Sequence, residues 1–206
     1  TGVDRTEPGA THEGGVQSDH VVADLTQGVP DDLEPADLIV HGAWITSDPA
    51  TLGLSDLDYL ELNLAPLFAM LRYVQGHLPR AFVFLSSSGV FAADDATSRL
   101  TEAHHASGDG PYAIGKRAAE LLVLRALAAV TQAHVVRLGY LFGPDERVRP
   151  TRTGVSPIAT WIRAARAGGT LEVRADNPVR DWTYAADLAD ALERIVAQPA
   201  RPHPVH

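Results

Sequence analysis

The sequence contains no cysteine, one methionine and a single lysine among its 206 residues, and these shortages restrict what the protein can be. Without cysteine it can form neither a disulfide framework nor a thiolate zinc site, and we expect no bound metal. No apolar run approaches the roughly 18 residues that a membrane span needs. Together with 45% hydrophobic and 21% charged residues, this is typical of a globular domain, which we expect to be cytoplasmic and not membrane-bound.

Basic residues are scarce in the front of the chain and concentrated further on. Residues 1–60 hold twelve acids against one base, whereas residues 137–180 hold eight arginines against four acids. A net charge of −9 makes a nucleic-acid partner unexpected, but a local group of arginines can hold the phosphates of a small substrate. The candidates are Arg147, Arg149, Arg152 and Arg180; for the first three, a solvated loop is the alternative interpretation.

Short apolar runs alternating with helical patterns predict an α/β fold. Residues 81–85, 38–40 and 134–141 are typical of buried parallel strands, and residues 21–25 and 171–173 of shorter ones. Apolar spacing predicts helices over residues 55–74, 111–130, 155–167 and 185–197, with Ser55 as N-cap of the first and Pro66 interrupting it. Residues 6–20 and 92–110 are predicted loops.

Three hydroxyls follow the strand at residues 81–85, at the end where open α/β sheets bind ligands. Tyr112 lies 25 positions beyond Ser87, and Lys116 follows Tyr112 by four, on the same helix face. A phenol loses its proton near pH 10, and a nearby cation lowers that value, so we expect Lys116 to lower the pKa of Tyr112. A hydroxyl or carbonyl held between Ser87 and Tyr112 could then exchange a proton during hydride transfer.

At this point the sequence resembles a known family, the extended short-chain dehydrogenase/reductases, also called the NAD-dependent epimerase/dehydratase family. The segments that carry the resemblance, in chain order, are residues 38–43 (LIVHGA), Asn63, residues 86–91 (SSSGVF), the Tyr112/Lys116 pair, residues 137–144 (RLGYLFGP) and residues 180–187 (RDWTYAAD). They are spread in order over residues 38–187.

The resemblance implies a Rossmann-like, doubly wound parallel sheet with a small C-terminal substrate-binding lobe. Residues 1–150 would form the NAD-binding domain, incomplete at its N-terminus. Residues 151–206 would form part of the substrate lobe, with the helix at 184–197 packing back on the sheet.

The resemblance also implies roles for individual residues. The catalytic residues would be Ser87, Tyr112, Lys116 and Asn63. Asn63 would fix a water in a proton path to the lysine; the alternative is that it caps the turn broken by Pro66. The cofactor-binding residues would be Asp4 and Asp24 with Leu25 around the adenosine, His41, Gly42 and Ala43 beneath the cofactor, and Lys116, Leu138 and Gly139 near the nicotinamide. Substrate would contact Ser88, Arg149 and Arg180. An acid at Asp4 favours NAD over NADP, because it repels a 2′-phosphate.

Three classes of function remain open. The first is a nucleotide-sugar epimerase that oxidises a sugar hydroxyl transiently and returns the hydride. The resemblance makes a 4,6-dehydratase less expected, because this sequence has Ser87-Ser88-Gly89 at the positions where those enzymes have Thr-Asp-Glu. The second is a net NAD(P)-dependent dehydrogenase or reductase of a sugar, sugar acid or small ketone. The third is a non-catalytic nucleotide sensor, against which the intact Tyr112/Lys116 pair argues. The family also implies a possible homodimer through the helices at 55–74 and 111–130.

One family feature is not found in this sequence, the Gly-x-x-Gly-x-x-Gly turn that binds the cofactor pyrophosphate. It belongs to the central strand of the family's sheet. Without that strand, we expect the strands ending at Asp4 and Asp24 not to join the one ending at His41. We therefore expect the sequence to be part of a longer protein, with the C-terminal lobe also shortened.

Overall fold

The computed structural model describes residues 1–5, 19–92, 99–144, 146–173 and 180–206. Three short parallel sheets contain its strands. β1 (Gly2–Asp4) pairs with β2 (His20–Val22); β3 (Leu38–His41), β4 (Ala81–Ser87) and β5 (Gln132–Leu138) pair in that order; and β6 (Tyr140–Phe142) pairs with β7 (Trp182–Tyr184). The helices are α1 (Asp56–His77), α2 (Pro111–Leu127), α3 (Pro157–Arg166) and α4 (Leu188–Val196).

The predicted α/β fold is confirmed, with helices on both faces of the β3–β4–β5 sheet. Phe82 and Phe84 of β4 lie on one face and pack with α1 and α2. Val83 and Val136 lie on the other face, against Leu192 and Val196 of α4. Because paired residues in a parallel sheet point to the same face, the two cores alternate along each strand.

The first two strands stand apart from the central sheet, as expected. β1 and β2 pair with each other, and among the described residues neither is hydrogen-bonded to β3. Val3 nevertheless packs against the core formed by α1, α2 and β4, so the pair is joined to the rest by side chains. The carboxyl ends of β1 to β5, where parallel sheets bind their ligands, carry most of the predicted site residues.

α1 shows that one prediction about Pro66 was wrong. Its N-cap is Ser55, whose hydroxyl accepts a hydrogen bond from the Asp58 N–H at 3.1 Å, as predicted. Pro66, however, does not end or split the helix, which continues to His77. The proline removes one hydrogen bond, but Leu67, Leu71 and Val74 beyond it are buried, and their packing keeps the helix continuous.

Two strand predictions also need correction. The predicted strand at residues 134–141 is divided at Gly139 into β5 and β6, which belong to different sheets. Residues 171–173 belong to no strand in the described part of the chain, and Leu171 and Val173 are exposed. The segment that pairs with β6 is β7, which follows Asp181 and contains Trp182 and Tyr184. Most of the predicted loop at 6–20, and residues 93–98 of the loop at 92–110, lie outside the described residues.

Candidate active site

Ser87 is the last residue of β4, at the ligand-binding edge of the sheet. Its hydroxyl accepts a hydrogen bond from the Gly89 N–H at 3.0 Å, which starts a single 3-10 turn. A side chain at Gly89 would bring its Cβ within 3.0 Å of Tyr112 Cε1 and 3.2 Å of Ser87 Oγ. Glycine therefore leaves room for the tyrosine ring beside the serine hydroxyl.

Tyr112 is largely buried in the first turn of α2, directly after Pro111. Burial raises its pKa above the ordinary value, a side-chain hydrogen bond with Ser87 lowers it, and the nearby Tyr140 raises it. The prediction that Lys116 gives Tyr112 a lowered pKa is therefore wrong for this structure. Desolvation of the phenolate dominates, since burial always disfavours the charged form.

Lys116 is almost completely enclosed. Its side chain is 4% exposed, and Nζ donates a 2.7 Å hydrogen bond to the Leu85 carbonyl oxygen. Nζ also lies 4.2 Å from the ring centroid of Trp44 and 4.9 Å from that of Phe84. Burial lowers the Lys116 pKa to about 7, although the Glu120 carboxylate opposes that change. The lysine is thus balanced between its charged and neutral forms near neutral pH.

Asn63 is fully buried in α1, and its side chain is occupied by backbone groups. Oδ1 accepts a 2.6 Å hydrogen bond from the Ile45 N–H, and Nδ2 donates to the Tyr59 carbonyl oxygen at 2.9 Å. The alternative that Asn63 caps a turn broken by Pro66 is wrong, because the helix is unbroken. Pro66 leaves the Leu62 carbonyl without its helical N–H donor, but Asn63 donates to the Tyr59 carbonyl instead. Asn63 instead ties the loop after β3 to α1; its role in a proton path stays a prediction.

The two predicted adenosine-binding carboxylates already contact arginines of this chain. Asp24 accepts two hydrogen bonds from Arg5, at 2.9 and 2.8 Å, and two from the Thr26 N–H and hydroxyl. Partial burial raises the pKa of Asp24, but these hydrogen bonds outweigh it and lower the pKa overall. Asp4 Oδ2 lies 3.6 Å from Arg149 Nη1. Leu25 is buried in the core, so its side chain is not available to a ligand.

The residues after β3 differ sharply in exposure. His41 is buried and stacks on Phe82 and Phe84, and burial, aided by the nearby Lys116 charge, lowers its pKa to about 4. Gly42 and Ala43 are exposed at the sheet edge, and a Cβ on Gly42 would lie 3.3 Å from the Leu85 side chain. This open backbone, with little room for a side chain, fits the close approach of a cofactor.

Leu138 and Gly139 connect the central sheet to the β6–β7 pair. Leu138 is buried in the core on the α4 face. A Cβ on Gly139 would lie 2.6 Å from the Asp181 carbonyl oxygen and 2.7 Å from the Asp181 carboxylate. Residue 139 is therefore a glycine for a structural reason: a side chain there would collide with Asp181.

The predicted substrate-binding residues are divided between two cavities and the catalytic strand. Arg149 lines a cavity of about 480 Å³ together with Trp44, Arg147 and Phe142. Arg180 lines a second cavity of about 400 Å³. The Arg180 guanidinium donates to the Tyr140 hydroxyl at 2.6 Å and lies over its ring. Ser88 is half-buried beside Ser87.

Sequence analysis missed several residues that shape the site. They are Trp44, which covers Lys116, Tyr140, which links Tyr112 to Arg180, and a buried network of Ser86, Glu120 and Arg137. Glu120 follows Lys116 by one helical turn in an apolar helix. That spacing was the signal that a buried acid stood beside the lysine.

Neither a metal centre nor a membrane span is found where the structure is described. No group of three or more His, Asp or Glu residues in those ranges is placed to hold a metal ion. None of the helices described above is long and apolar enough to cross a membrane.

A family model described as the NAD dependent epimerase/dehydratase family matches residues 1–206, the whole sequence. The chain belongs to this family. A search of proteins with curated functions found no match.

Solved structures of similar fold include sugar-modifying enzymes. A UDP-N-acetylglucosamine 4-epimerase from Methanobrevibacter ruminantium superposes with a TM-score of 0.73 at 22% identity, over 87% of this chain and 57% of the other. An NAD-dependent NDP-hexosamine 5,6-dehydratase of tunicamycin biosynthesis gives 0.68 at 24%, over 89% and 58%. A Thermus thermophilus UDP-glucose 4-epimerase bound to NAD gives 0.64 at 18%, over 80% and 54%. The epimerase/dehydratase chain described here thus spans little more than half the length of these relatives.

Proposed function

We propose that the protein is an NAD-dependent sugar-modifying enzyme that carries out an epimerase-type reaction by transient hydride transfer. The observation that carries the proposal is the position of Tyr112 beside Ser87, both half-buried at the carboxyl end of β4, one helical turn from the buried Lys116. Family membership supports the cofactor, and the sugar-modifying relatives support the substrate class.

The proposed chemistry assigns a separate task to each side chain. NAD, when bound, accepts a hydride from a sugar carbon and can return it to either face. Ser87 donates a hydrogen bond to the oxygen on that carbon and holds it beside Tyr112. Tyr112 takes the hydroxyl proton as the carbon is oxidised and gives it back as the carbonyl is reduced. Lys116 donates a 2.7 Å hydrogen bond to the Leu85 carbonyl and so holds α2, which carries Tyr112, against the strand that ends at Ser87.

The cofactor would lie along the carboxyl edge of the strands. The open backbone of Gly42 and Ala43 would pass beneath it, and Asp4 and Asp24 would lie at its adenosine end. Acids there favour the free 2′-hydroxyl of NAD over the phosphate of NADP. His41 and Leu25 would contribute packing rather than polar contacts, since their side chains are enclosed in the core.

A nucleotide sugar fits the second cavity. Trp161 and Trp182 line its walls and can pack against a base or a sugar ring, while Arg180 can hold phosphate oxygens. Arg180 of this cavity also donates a hydrogen bond to the Tyr140 hydroxyl, and Tyr140 is near enough to Tyr112 to raise the pKa of that tyrosine. Ser88 would contact the sugar, and Arg149 of the first cavity would be a further phosphate contact.

A net NAD(P)-dependent dehydrogenase or reductase is the second candidate. The observation in its favour is the pair of arginines beside the adenosine-end carboxylates, Arg5 on Asp24 and Arg149 near Asp4, which could accept a 2′-phosphate. An epimerase retains its cofactor between turnovers, whereas a net dehydrogenase exchanges it. Measuring nicotinamide content after purification separates the two.

A homodimer through α1 and α2 also belongs to the proposal. Leu57 and Phe68 of α1 and Leu121 of α2 are exposed, although each is a large apolar side chain. Their burial in a second copy would remove this apolar area from water. Sedimentation of the purified protein measures the oligomeric state directly.

The proposal is tested by replacing Tyr112 with phenylalanine in the purified protein. We expect Tyr112→Phe to lower turnover of UDP- or dTDP-hexoses by about 10²- to 10⁴-fold, the range for losing a general acid–base group, while NAD affinity is unchanged. The matched control is Tyr73→Phe, whose hydroxyl makes only a long 3.5 Å hydrogen bond to the Leu33 carbonyl. Full activity of Tyr112→Phe would end the catalytic assignment.

A further inference from the structure

We infer that Glu120 is a positioning residue for the proposed reaction: it fixes the register of α2 on β4 and maintains a counter-charge beside Lys116. The inference rests on the proposed function only for its effect on turnover. The contacts that carry it are independent of any substrate or cofactor.

The first observation is a stripe of three polar side chains on α2. They are one helical turn apart, share one face of the helix, and each bonds a different one of the last three residues of β4. The pairs are Tyr112 with Ser87, Lys116 with the Leu85 carbonyl at 2.7 Å, and Glu120 with the Ser86 hydroxyl at 2.6 Å. A shift of the helix along the strand would break all three pairs together.

The second observation is that Glu120 is the most firmly held of the three. Arg137 of β5 donates two hydrogen bonds to its carboxylate, from Nε at 2.8 Å and from Nη2 at 2.7 Å. Arg137 is directly opposite Ser86 in the parallel register, so the carboxylate is bonded from two adjacent strands. Glu120 and Arg137 are 2% and 7% exposed. The helix is therefore anchored on the sheet one turn away from Lys116.

Stability alone gives little reason for such a pair. Burying two charges costs several kcal/mol of desolvation, and apolar replacements of buried ion pairs are often neutral or stabilising. A role in the site explains the pair better, because removing the carboxylate would leave Lys116 and Arg137 as two buried cations on neighbouring elements.

The charges around Lys116 set the direction of the effect. The titratable and charged groups that face it or its partner are Tyr112 and Glu120 on α2, His41 on β3, Arg137 on β5, and His206, whose Nε2 lies 3.3 Å from Arg137 Nη1. His41 is neutral at neutral pH, because its pKa is lowered to about 4. Glu120 is the anion of this set and raises the Lys116 pKa against the effect of burial.

Lys116 can be observed directly because it is the only lysine in the sequence. In protein labelled with ¹⁵N- and ¹³C-lysine, its Nζ and Cε resonances report its protonation without any substrate, and Lys116→Arg assigns the signal by removing it. We expect Glu120→Gln to lower the Lys116 pKa by about one unit or more, since an adjacent counter-charge is lost. The double variant Glu120→Gln/Arg137→Gln removes both charges and should lie between Glu120→Gln and the wild type.

Turnover provides the second readout. The pH profile of kcat should shift to lower pH by the same amount as the Lys116 titration in each variant. Glu193→Gln, an exposed carboxylate on α4, is the matched control and should change neither measurement. If Glu120→Gln fails to fold, the Lys116 titration is measured in the double variant, in which the two amide side chains can hydrogen-bond to each other.

The inference and the proposed function fail separately. An unchanged Lys116 titration in a folded Glu120 variant would overturn the inference and leave the Tyr112 chemistry intact. A shifted titration with an unshifted kcat profile would also overturn it, because positioning without effect on turnover is merely structural. Activity of Tyr112→Phe would overturn the proposed function, whatever Lys116 does.

Discussion

Replacing Lys116 with methionine should make the protein more stable, and the gain should depend on pH. In the folded protein, burial lowers the Lys116 pKa from 10.5 to about 7. At about 1.4 kcal/mol per pH unit, keeping the ammonium buried below pH 7 costs on the order of 4 to 5 kcal/mol. Methionine removes that cost but also removes the hydrogen bond to the Leu85 carbonyl, which contributes about 1 kcal/mol. We expect Lys116→Met to gain about 3 kcal/mol at pH 6.

The sign of the pH dependence follows from proton counting. Between about pH 7 and 10.5 the unfolded chain keeps the lysine proton and the folded protein releases it, so wild-type stability rises with pH in that window. The advantage of Lys116→Met should therefore shrink by about 1.4 kcal/mol per pH unit above pH 7, vanish near pH 9, and become a small disadvantage by pH 10.5 because of the lost hydrogen bond. Below pH 7 both states bind the proton, and the gain should be constant.

The assay is denaturant-induced unfolding of wild type and variants at several pH values between 6 and 10. Lys116→Arg is the matched control, because a guanidinium cannot release its proton at these pH values. The stability of this variant should therefore not rise between pH 7 and 10. Arg72→Met, at an exposed position of α1, controls for the general effect of removing a cation and should change stability by less than about 0.5 kcal/mol. A methionine variant less stable than wild type at pH 6, or one whose gain is the same at every pH, would refute the reasoning.

Two further predictions concern the C-terminal part of the site. Gly139→Ala should lower the melting temperature and uncouple β6 from β7, because its Cβ would lie 2.6 Å from the Asp181 carbonyl; Gly154→Ala, where nothing lies within 4 Å, should change neither thermal melting nor near-UV circular dichroism. Arg180→Met should weaken binding of UDP by about tenfold or more and leave NAD binding unchanged, measured by calorimetry, because a charge-assisted contact to phosphate is lost. An equal loss of affinity for UDP and for NAD would mean that Arg180 stabilises the fold rather than binds the substrate.

The parts of the structure that local patterns determine were predictable from the sequence. Parallel strands, the Ser55 cap and the position of Ser87 follow from short apolar runs, a capping residue and a strand end. The Tyr112/Lys116 pair follows from helical spacing. Each of these depends on residues close together in the chain.

What sequence analysis got wrong depends on distant contacts or on burial. The continuity of α1 past Pro66 depends on packing of the residues beyond the proline. The pKa of Tyr112 is set by burial, which a spacing of four residues does not reveal. The pairing of β6 with β7 joins segments about 40 positions apart, and residues 171–173, where a strand was expected, are not part of that pairing.

The buried charges were missed for a related reason. Glu120 and Arg137 are 17 positions apart, and nothing between them marks them as partners. An acid in a helix and an arginine in a strand are each ordinary on a protein surface. Only the fold shows that the two side chains meet beside Ser86.

The outer edge of β5 is shielded by the chain's own last residues. Val205 forms a parallel bridge there: the Arg137 N–H donates to its carbonyl at 2.8 Å, and its own N–H donates to the Val135 carbonyl at 2.9 Å. An open strand edge is a template for pairing with another molecule, so this bridge protects the sheet against edge-to-edge aggregation. Pro202 and Pro204 have no N–H to donate and so cannot extend the ladder. Among the described residues this bridge involves Val205 alone, so protection of this part of the β5 edge depends on how firmly Val205 stays in place.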